Sequence, residues 1–286
     1  MALRQFQQVR GLHVTGSCDE HTWKALVEAS WQLGDRMLVL TSPNMRGDDV
    51  ADLQGRLGRL GFDCGRVDGI FGPQSARALT DFQSNCGITT DGVCGTLTLR
   101  MLQRVSGQTG SGPGVASVRE HERLLTAPGS VASLRIVVGQ FGGLSIISRA
   151  VTRELRAAGA QVMSLDEPDA VAQAKAANHF AADVYLGLEG GAAAPTVIHY
   201  YQVPTFESVG GHTLATYLSR QLRLATALDV ADPCGMRLPV LRETRMPAVL
   251  CVLAPVRLAV DTAAQITSSL VSAVEQWTDC PTLISQ

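Results

Sequence analysis

The sequence predicts two structural parts: an all-α three-helix unit in its first half and, beyond a linker, an α/β domain with a mixed sheet flanked by helices. Three observations carry this expectation. The first is an internal repeat, in which Leu3, Phe6, Gln7, Gly11, Leu12, Gly16, Cys18, Thr22 and Leu26 recur as Leu79, Phe82, Gln83, Gly87, Ile88, Gly92, Cys94, Thr98 and Leu102, each 76 positions on. The second is the stretch SGQTGSGPGVAS at residues 106–117, whose glycine and serine density reads as a flexible linker. The third is an alternation of strand-like and helix-like periods from about Leu134 onward.

The second copy of the repeat can be followed residue by residue. Asp48 and Asp49 are expected to supply an N-cap and negative charge at a helix start. Val50, Leu53, Leu57 and Leu60 then line one face at helical spacing, and Gly61 ends the helix. Asp68-Gly69 signals a turn, and Pro73 after Phe71-Gly72 opens a second helix carrying Leu79 and Phe82 as far as Gly87. Asp91-Gly92 turns the chain again before a last short helix over 98–105.

After the linker, a short polar helix over 118–125 is expected. The segments 135–139, 161–165, 183–188, 196–202 and 248–253 read as strands. Ile147, Val151, Leu155 and Ala158 mark a helix stopped by Gly159, and Ala263, Ile266, Leu270, Val274 and Trp277 share one face of a helix over 260–277. Strands alternating with helices imply a layered α/β domain.

Composition narrows the function. With 45% hydrophobic and 17% charged residues the chain is globular rather than disordered. Its 24 basic against 26 acidic residues give a net charge of -2, which argues against nucleic-acid binding. The most apolar uncharged strand-like stretch, 246–256, is far shorter than the roughly 18–20 residues of a membrane-spanning helix. The N-terminus has no apolar signal core, so a cytoplasmic location is expected. The seven cysteines are odd in number and contain no CxxC pair, which fits free thiols in a reducing compartment.

The segment Val50–Leu102, VADLQGRLGRLGFDCGRVDGIFGPQSARALTDFQSNCGITTDGVCGTLTLRML, resembles the peptidoglycan-binding domain appended to many bacterial cell-wall hydrolases. The earlier copy keeps only the final part of that pattern, from about Leu3 to Ala29. Half a unit should bury its apolar stripe poorly, so a truncated sequence or misassigned start codon is expected, which weakens the missing export signal. The expected organisation is a partial repeat at 1–30, a complete peptidoglycan-binding domain at 46–105, a linker at 106–133 and an α/β domain at 134–280.

Joined to such repeats, LRIVV with the following Gly142-Gly143, AANHFAADVYLGL and LRETRMPAVLCVL make the second part resemble the zinc-dependent N-acetylmuramoyl-L-alanine amidases, specifically an actinobacterial branch with two N-terminal binding repeats. That resemblance implies a zinc ion held by two histidines and a glutamate, with a second glutamate as general base. The family's first histidine, in an Asp-Pro-Gly-His-Gly-Gly turn, aligns with Phe141. The loop leading to its glutamate ligand is absent, and the nearby Glu154 lies late in a helix, as a solvated residue would. Glu189 stands where the second histidine belongs, and Val252 aligns with the base. No catalytic residue, metal ligand set or cofactor is therefore assigned.

The sequence offers other combinations of reactive residues. His179, His199 and His212, with Glu189 or Glu207, form the alternative metal combination, against ordinary packing or surface roles. Cys251 sits in an apolar strand as a core thiol would. Ser145 and Ser148 lack an evident base, and the run Gly139–Gly143 lacks the spacing of a dinucleotide loop. Asp68, Gly69, Phe71, Gly72, Asp91 and Gly92 are most simply turn and packing residues that define the fold. Arg66, Phe71 and Gln83 are the candidates for a ligand-facing surface, which the resemblance places near these turns.

The expectation is a peptidoglycan- or precursor-binding pseudo-amidase, a non-catalytic regulator of bacterial cell-wall synthesis acting with peptidoglycan, its precursors or a synthesis protein. The alternative is an active zinc amidase cleaving the bond between muramic acid and the stem peptide.

Overall fold

The computed structural model describes residues 2–106, 115–126, 129–203 and 206–282, which divide into two compact units. Part of the expected linker, 107–114 and 127–128, lies outside the described residues.

Over residues 2–106 the regular elements of the first unit are helices: α1 (Ala2–Val9) and α2 (Glu20–Ala29) from the first copy, then α3 (Asp48–Arg59), α4 (Pro73–Asn85) and α5 (Thr96–Ser106). The apolar spacing of α3 does what it predicts, and Val50, Leu53 and Leu57 are buried against Phe71, Leu79, Phe82 and Leu102. The expected cap is corrected. Gly47, not an aspartate, is the N-cap, and it makes no side-chain cap bond. Asp49 is instead spent on Arg36, whose Nε donates to it at 2.7 Å, and Asp48 accepts from Arg10 at 2.8 Å. Both aspartates tie the helix start to distant side chains, a use that local sequence cannot reveal.

What closes the turns is a buried glutamine, used three times. The Gln83 amide nitrogen donates to Asp91 Oδ1 at 2.7 Å and lies 3.0 Å from Val93 O and Thr98 Oγ1, while its oxygen accepts from Gly92 N–H at 2.9 Å. Gln7 repeats this with Thr15, Ser17, Thr22 and Gly16. Gln54 repeats it with Asp68, Ile70, Ser75 and Gly69. The Val93 N–H and the Gln83 amide hold the Asp91 carboxyl below its ordinary range.

Among the described residues, the first copy has no counterpart of α3. Leu3, Phe6 and Leu26 are only half-buried where their matches Leu79, Phe82 and Leu102 are fully buried, and Val9, Trp23 and Val27 are exposed.

The second unit holds β1 (Arg135–Gln140) and β2 (Gln161–Asp166). The connections supply α6 (Val115–Leu125) before β1, α7 (Ser145–Ala157) between the two strands and α8 (Ala170–His179) after β2. Next come β3 (Val184–Gly190), β4 (Val197–Val203), β5 (Phe206–Glu207), α9 (Val209–Ala225), β6 (Cys234–Met236), α10 (Pro239–Glu243) and β7 (Ala248–Leu253), and the described chain closes with α11 (Val256–Asp261) and α12 (Ala263–Asp279). The expected single helix over 260–277 is thus two helices, split at Thr262, which caps α12 in a non-helical conformation.

The sheet runs β2-β1-β3-β7-β4-β5, with β6 beside β4. Strands β2, β1, β3 and β7 are parallel and β4 is antiparallel to β7, so the sheet is mixed and flanked by helices as expected. One face packs Ile136, Val138, Leu186, Leu188, Val249 and Cys251 beneath α7, α9 and α12, whose Ile147, Leu218, Leu270 and Trp277 complete the core.

The opposite face is held by a polar tie. Tyr185 Oη donates to Gln173 Oε1 at 2.7 Å, and Gln173 Nε2 donates to Gln140 O at 3.0 Å. This tie crosses directly over Gly139, where an added Cβ would lie 2.0 Å from Gln173 Oε1 and 2.4 Å from Tyr185 Oη.

Two stability tests follow from these contacts. Gln83→Leu leaves buried partners unmet and is expected to cost about 2–4 kcal/mol, whereas Lys24→Ala, in an exposed ion pair, should change stability by less than about 0.5 kcal/mol in denaturant titration. Gly139→Ala should cost about 3 kcal/mol or more, and less in a Gln173→Ala background, where the nearer of the two colliding oxygens is gone and the Tyr185 hydroxyl is released to move.

Candidate functional site

Parallel strands end together, and in open α/β sheets the carboxyl ends of the strands are where ligands bind. In this sheet β1, β3 and β7 bring their ends into line. Gln140 pairs with Leu188, and Phe141 N–H donates to Leu188 O at 3.0 Å. Glu189 stands opposite Val252, and Val252 opposite Val197 of β4. The three positions singled out in the sequence, Phe141, Glu189 and Val252, therefore gather at one end of the sheet, each half-buried.

The surroundings are apolar and tightly closed. Gly191 N–H donates to Leu253 O at 2.8 Å, and Val256 N–H to Gly191 O at 2.9 Å. A Cβ on Gly190 would lie 3.0 Å from Val256 Cγ2, and one on Gly191 2.6 Å from the Ala254 methyl. Valine and alanine thus sit directly on the turn after β3. A catalytic zinc needs three protein donors and an open position. Of the three residues here only Glu189 carries a donor, so they do not fit the ion. Among the described residues, no group of three or more His, Cys, Asp and Glu side chains could hold a metal.

The remaining histidines do not converge. His179 is exposed at the end of α8. His199 is buried on β4, opposite Leu250 and Cys234. His212 does meet Glu207, its Nδ1 2.5 Å from Oε1, and its ring stacks on Tyr200 with centroids 4.6 Å apart. Burial, with Glu207 and Cys234 nearby, pushes the Tyr200 phenol up to about 12. The sequence grouped His212 and Glu207 as possible ligands; the structure brings these two together as an ion pair five residues apart. Glu154 is engaged by Arg153 at 2.9 Å on the surface of α7.

Two of the three ligand-facing candidates are corrected. Phe71 is 0% exposed and Gln83 1%, the first in the core and the second with its amide committed to a turn. Neither has surface to offer a ligand, and Arg66 alone of the three is partly exposed. The repetition of glutamine in the sequence was a signal of fold.

The peptidoglycan binding domain family matches residues 1–26 and 46–102. Over 281 aligned residues the chain is 34% identical to the N-acetylmuramoyl-L-alanine amidase CwlM of Mycobacterium tuberculosis, covering 87% of this chain and 68% of that protein. The chain belongs to the N-acetylmuramoyl-L-alanine amidase family. A more local likeness joins it to the spore cortex-lytic enzyme of Bacillus cereus, 43% identical over 60 residues, 21% of this chain and 23% of that enzyme. Among solved structures, the amidase AmiC2 of Nostoc punctiforme matches 50% of this chain and 96% of its own at 15% identity and TM-score 0.43. An amidase from Clostridium difficile 630 matches 51% and 98% at 16% identity and TM-score 0.44. Among the described residues of this family member, no helix is long and apolar enough to cross a membrane.

Thiol chemistry at the amidase-like sheet is disfavoured by burial, which drives the Cys251 thiol far above its ordinary range. A thiol reagent applied to the native protein should modify exposed Cys18, Cys234 and Cys280 and leave Cys251 unmodified until denaturant is added, as peptide mass mapping would read directly.

Proposed function

We propose that this amidase-family chain is a pseudo-amidase: a non-catalytic protein that binds peptidoglycan or its precursors and regulates bacterial cell-wall synthesis. The observation that carries the reading is the row Glu189, Val252, Val197 at the sheet end, with Phe141 beside it. A water cannot be activated for attack by valine and phenylalanine, and one carboxylate does not hold a catalytic ion. Loss of a general base alone costs about 10²- to 10⁴-fold in rate, before the missing ligands are counted.

The helical unit supplies the wall-binding character, and Arg66 is our candidate for its ligand-facing surface. Cysteines that are all unpaired fit a reducing, cytoplasmic setting, where the ligand would be a precursor or a synthesis protein rather than mature wall.

The second reading, an active zinc amidase, is favoured by the 34% identity to a protein named an N-acetylmuramoyl-L-alanine amidase. One experiment separates the two. Purified protein is assayed for bound zinc by elemental analysis and for release of stem peptide from muropeptides, alongside sedimentation with insoluble peptidoglycan. The pseudo-amidase reading expects sedimentation with zinc far below stoichiometric and no released peptide. Stoichiometric zinc together with released peptide would establish the amidase instead.

A further inference from the structure

We propose that the exposed apolar face of the first repeat copy, on α1 and α2, is a self-association surface that pairs this chain with a second molecule of itself. The proposal concerns the helical unit alone and stands whether or not the α/β unit is catalytic.

The internal repeat shows what such a face is built to meet. In the second copy Leu79, Phe82 and Leu102 are at most 1% exposed, because Val50, Leu53 and Leu57 on the apolar side of α3 share one core with them. Among the described residues no helix does this for the first copy, and the matching Leu3, Phe6 and Leu26 are only half-buried. The turn beneath them is closed all the same. Gln7 makes the bonds to Thr22 and Gly16 that Gln83 makes to Thr98 and Gly92. The first copy therefore holds its apolar stripe in the folded arrangement without covering it.

A second observation separates this face from a merely incomplete unit. Trp23 and Val27, 60% and 43% exposed, lie three residues before and one after Leu26, so the three make one stripe on α2. Val9, 74% exposed, lies one turn beyond Phe6 on α1. In the second copy the residues 76 positions on from Val9 and Val27 are Asn85 and Gln103, both polar and exposed. A complete unit leaves these positions in water, so an uncovered stripe does not account for valine at them. Single exposed apolar side chains are ordinary, but a contiguous apolar patch marks an interaction surface.

Charge selects the occupant. Lys24 stands between Glu20 and Glu28 on α2, four residues from each. Its ion pair with Glu20 is exposed on both sides and contributes little within one molecule. Two α2 helices packed antiparallel about a two-fold axis at Leu26 bring Lys24 of each molecule beside Glu28 of the other. The same axis sets Trp23 of each against Val27 and Ala29 of the other. One patch is then complementary to itself, which is what a two-fold interface requires.

The test is sedimentation velocity of the full chain across micromolar concentrations, where a monomer–dimer equilibrium is expected. Val27→Gln, which matches Gln103 of the second copy, should weaken the dimer about tenfold or more and leave the thermal midpoint of dilute protein unchanged. Lys24→Glu should weaken it as well. Adding Glu28→Lys to Lys24→Glu should restore it, a recovery that a destabilised fold would not give. A chain that stays monomeric, or a dimer indifferent to both Val27→Gln and Lys24→Glu, overturns the proposal. A monomeric chain that binds a synthetic peptide of residues 48–59, the α3 sequence, also overturns it and assigns the face to a helix from a different source.

Discussion

Buried carboxamides hold both units of this protein in shape. A turn tucked beneath a helix leaves backbone N–H and C=O groups out of water, and each must find a partner or destabilise the fold. Glutamine offers a donor and an acceptor on one planar group at the end of a flexible stem, so one side chain can satisfy both sides of a turn. Gln7, Gln54 and Gln83 do this in the helical unit, and Gln173 does it between β1, the β2–α8 connection and Tyr185. Helix packing in the first unit depends on them, because Phe71 and Leu79 can bury their surface only where the neighbouring turns are closed.

The parallel register performs the corresponding service for the functional end of the sheet. Hydrogen bonding between β1, β3 and β7 decides which residues stand together, whatever their chemistry. The pairing of these strands therefore places Phe141, Glu189 and Val252 together at the sheet end by backbone register alone. Backbone pairing asks nothing of those side chains, and apolar residues there pack against the glycine turn after β3.

Much of this architecture was legible in the sequence, and the exceptions share a cause. The repeat, the apolar spacing of α3 and the β1, β3 and β7 runs are periodic signals that local burial enforces. The three site positions came from alignment of those same runs. The partners of polar residues were not legible, because they lie beyond the three- and four-residue spacing of a helix turn and follow no period. Asp49 reads as a helix cap and is bound to Arg36, Gln83 reads as a surface residue and closes a turn, and His212 finds Glu207 across the β5–α9 junction. The break between α11 and α12 was missed because Val260 and Ala263 continue the apolar period across Thr262, and only backbone geometry marks the change.

The tryptophans are distributed so that the two units differ optically. Trp277 is 2% exposed, with its indole N–H donating to Gly210 O at 3.0 Å, and is the α/β unit's only indole. Trp23 is 60% exposed, and Trp31 lies under the Arg36 guanidinium at 4.4 Å. Intrinsic fluorescence therefore contains a blue-shifted component from the sheet domain and a red-shifted one from the helical repeats. The melting of each can be followed in the unlabelled protein without separating them.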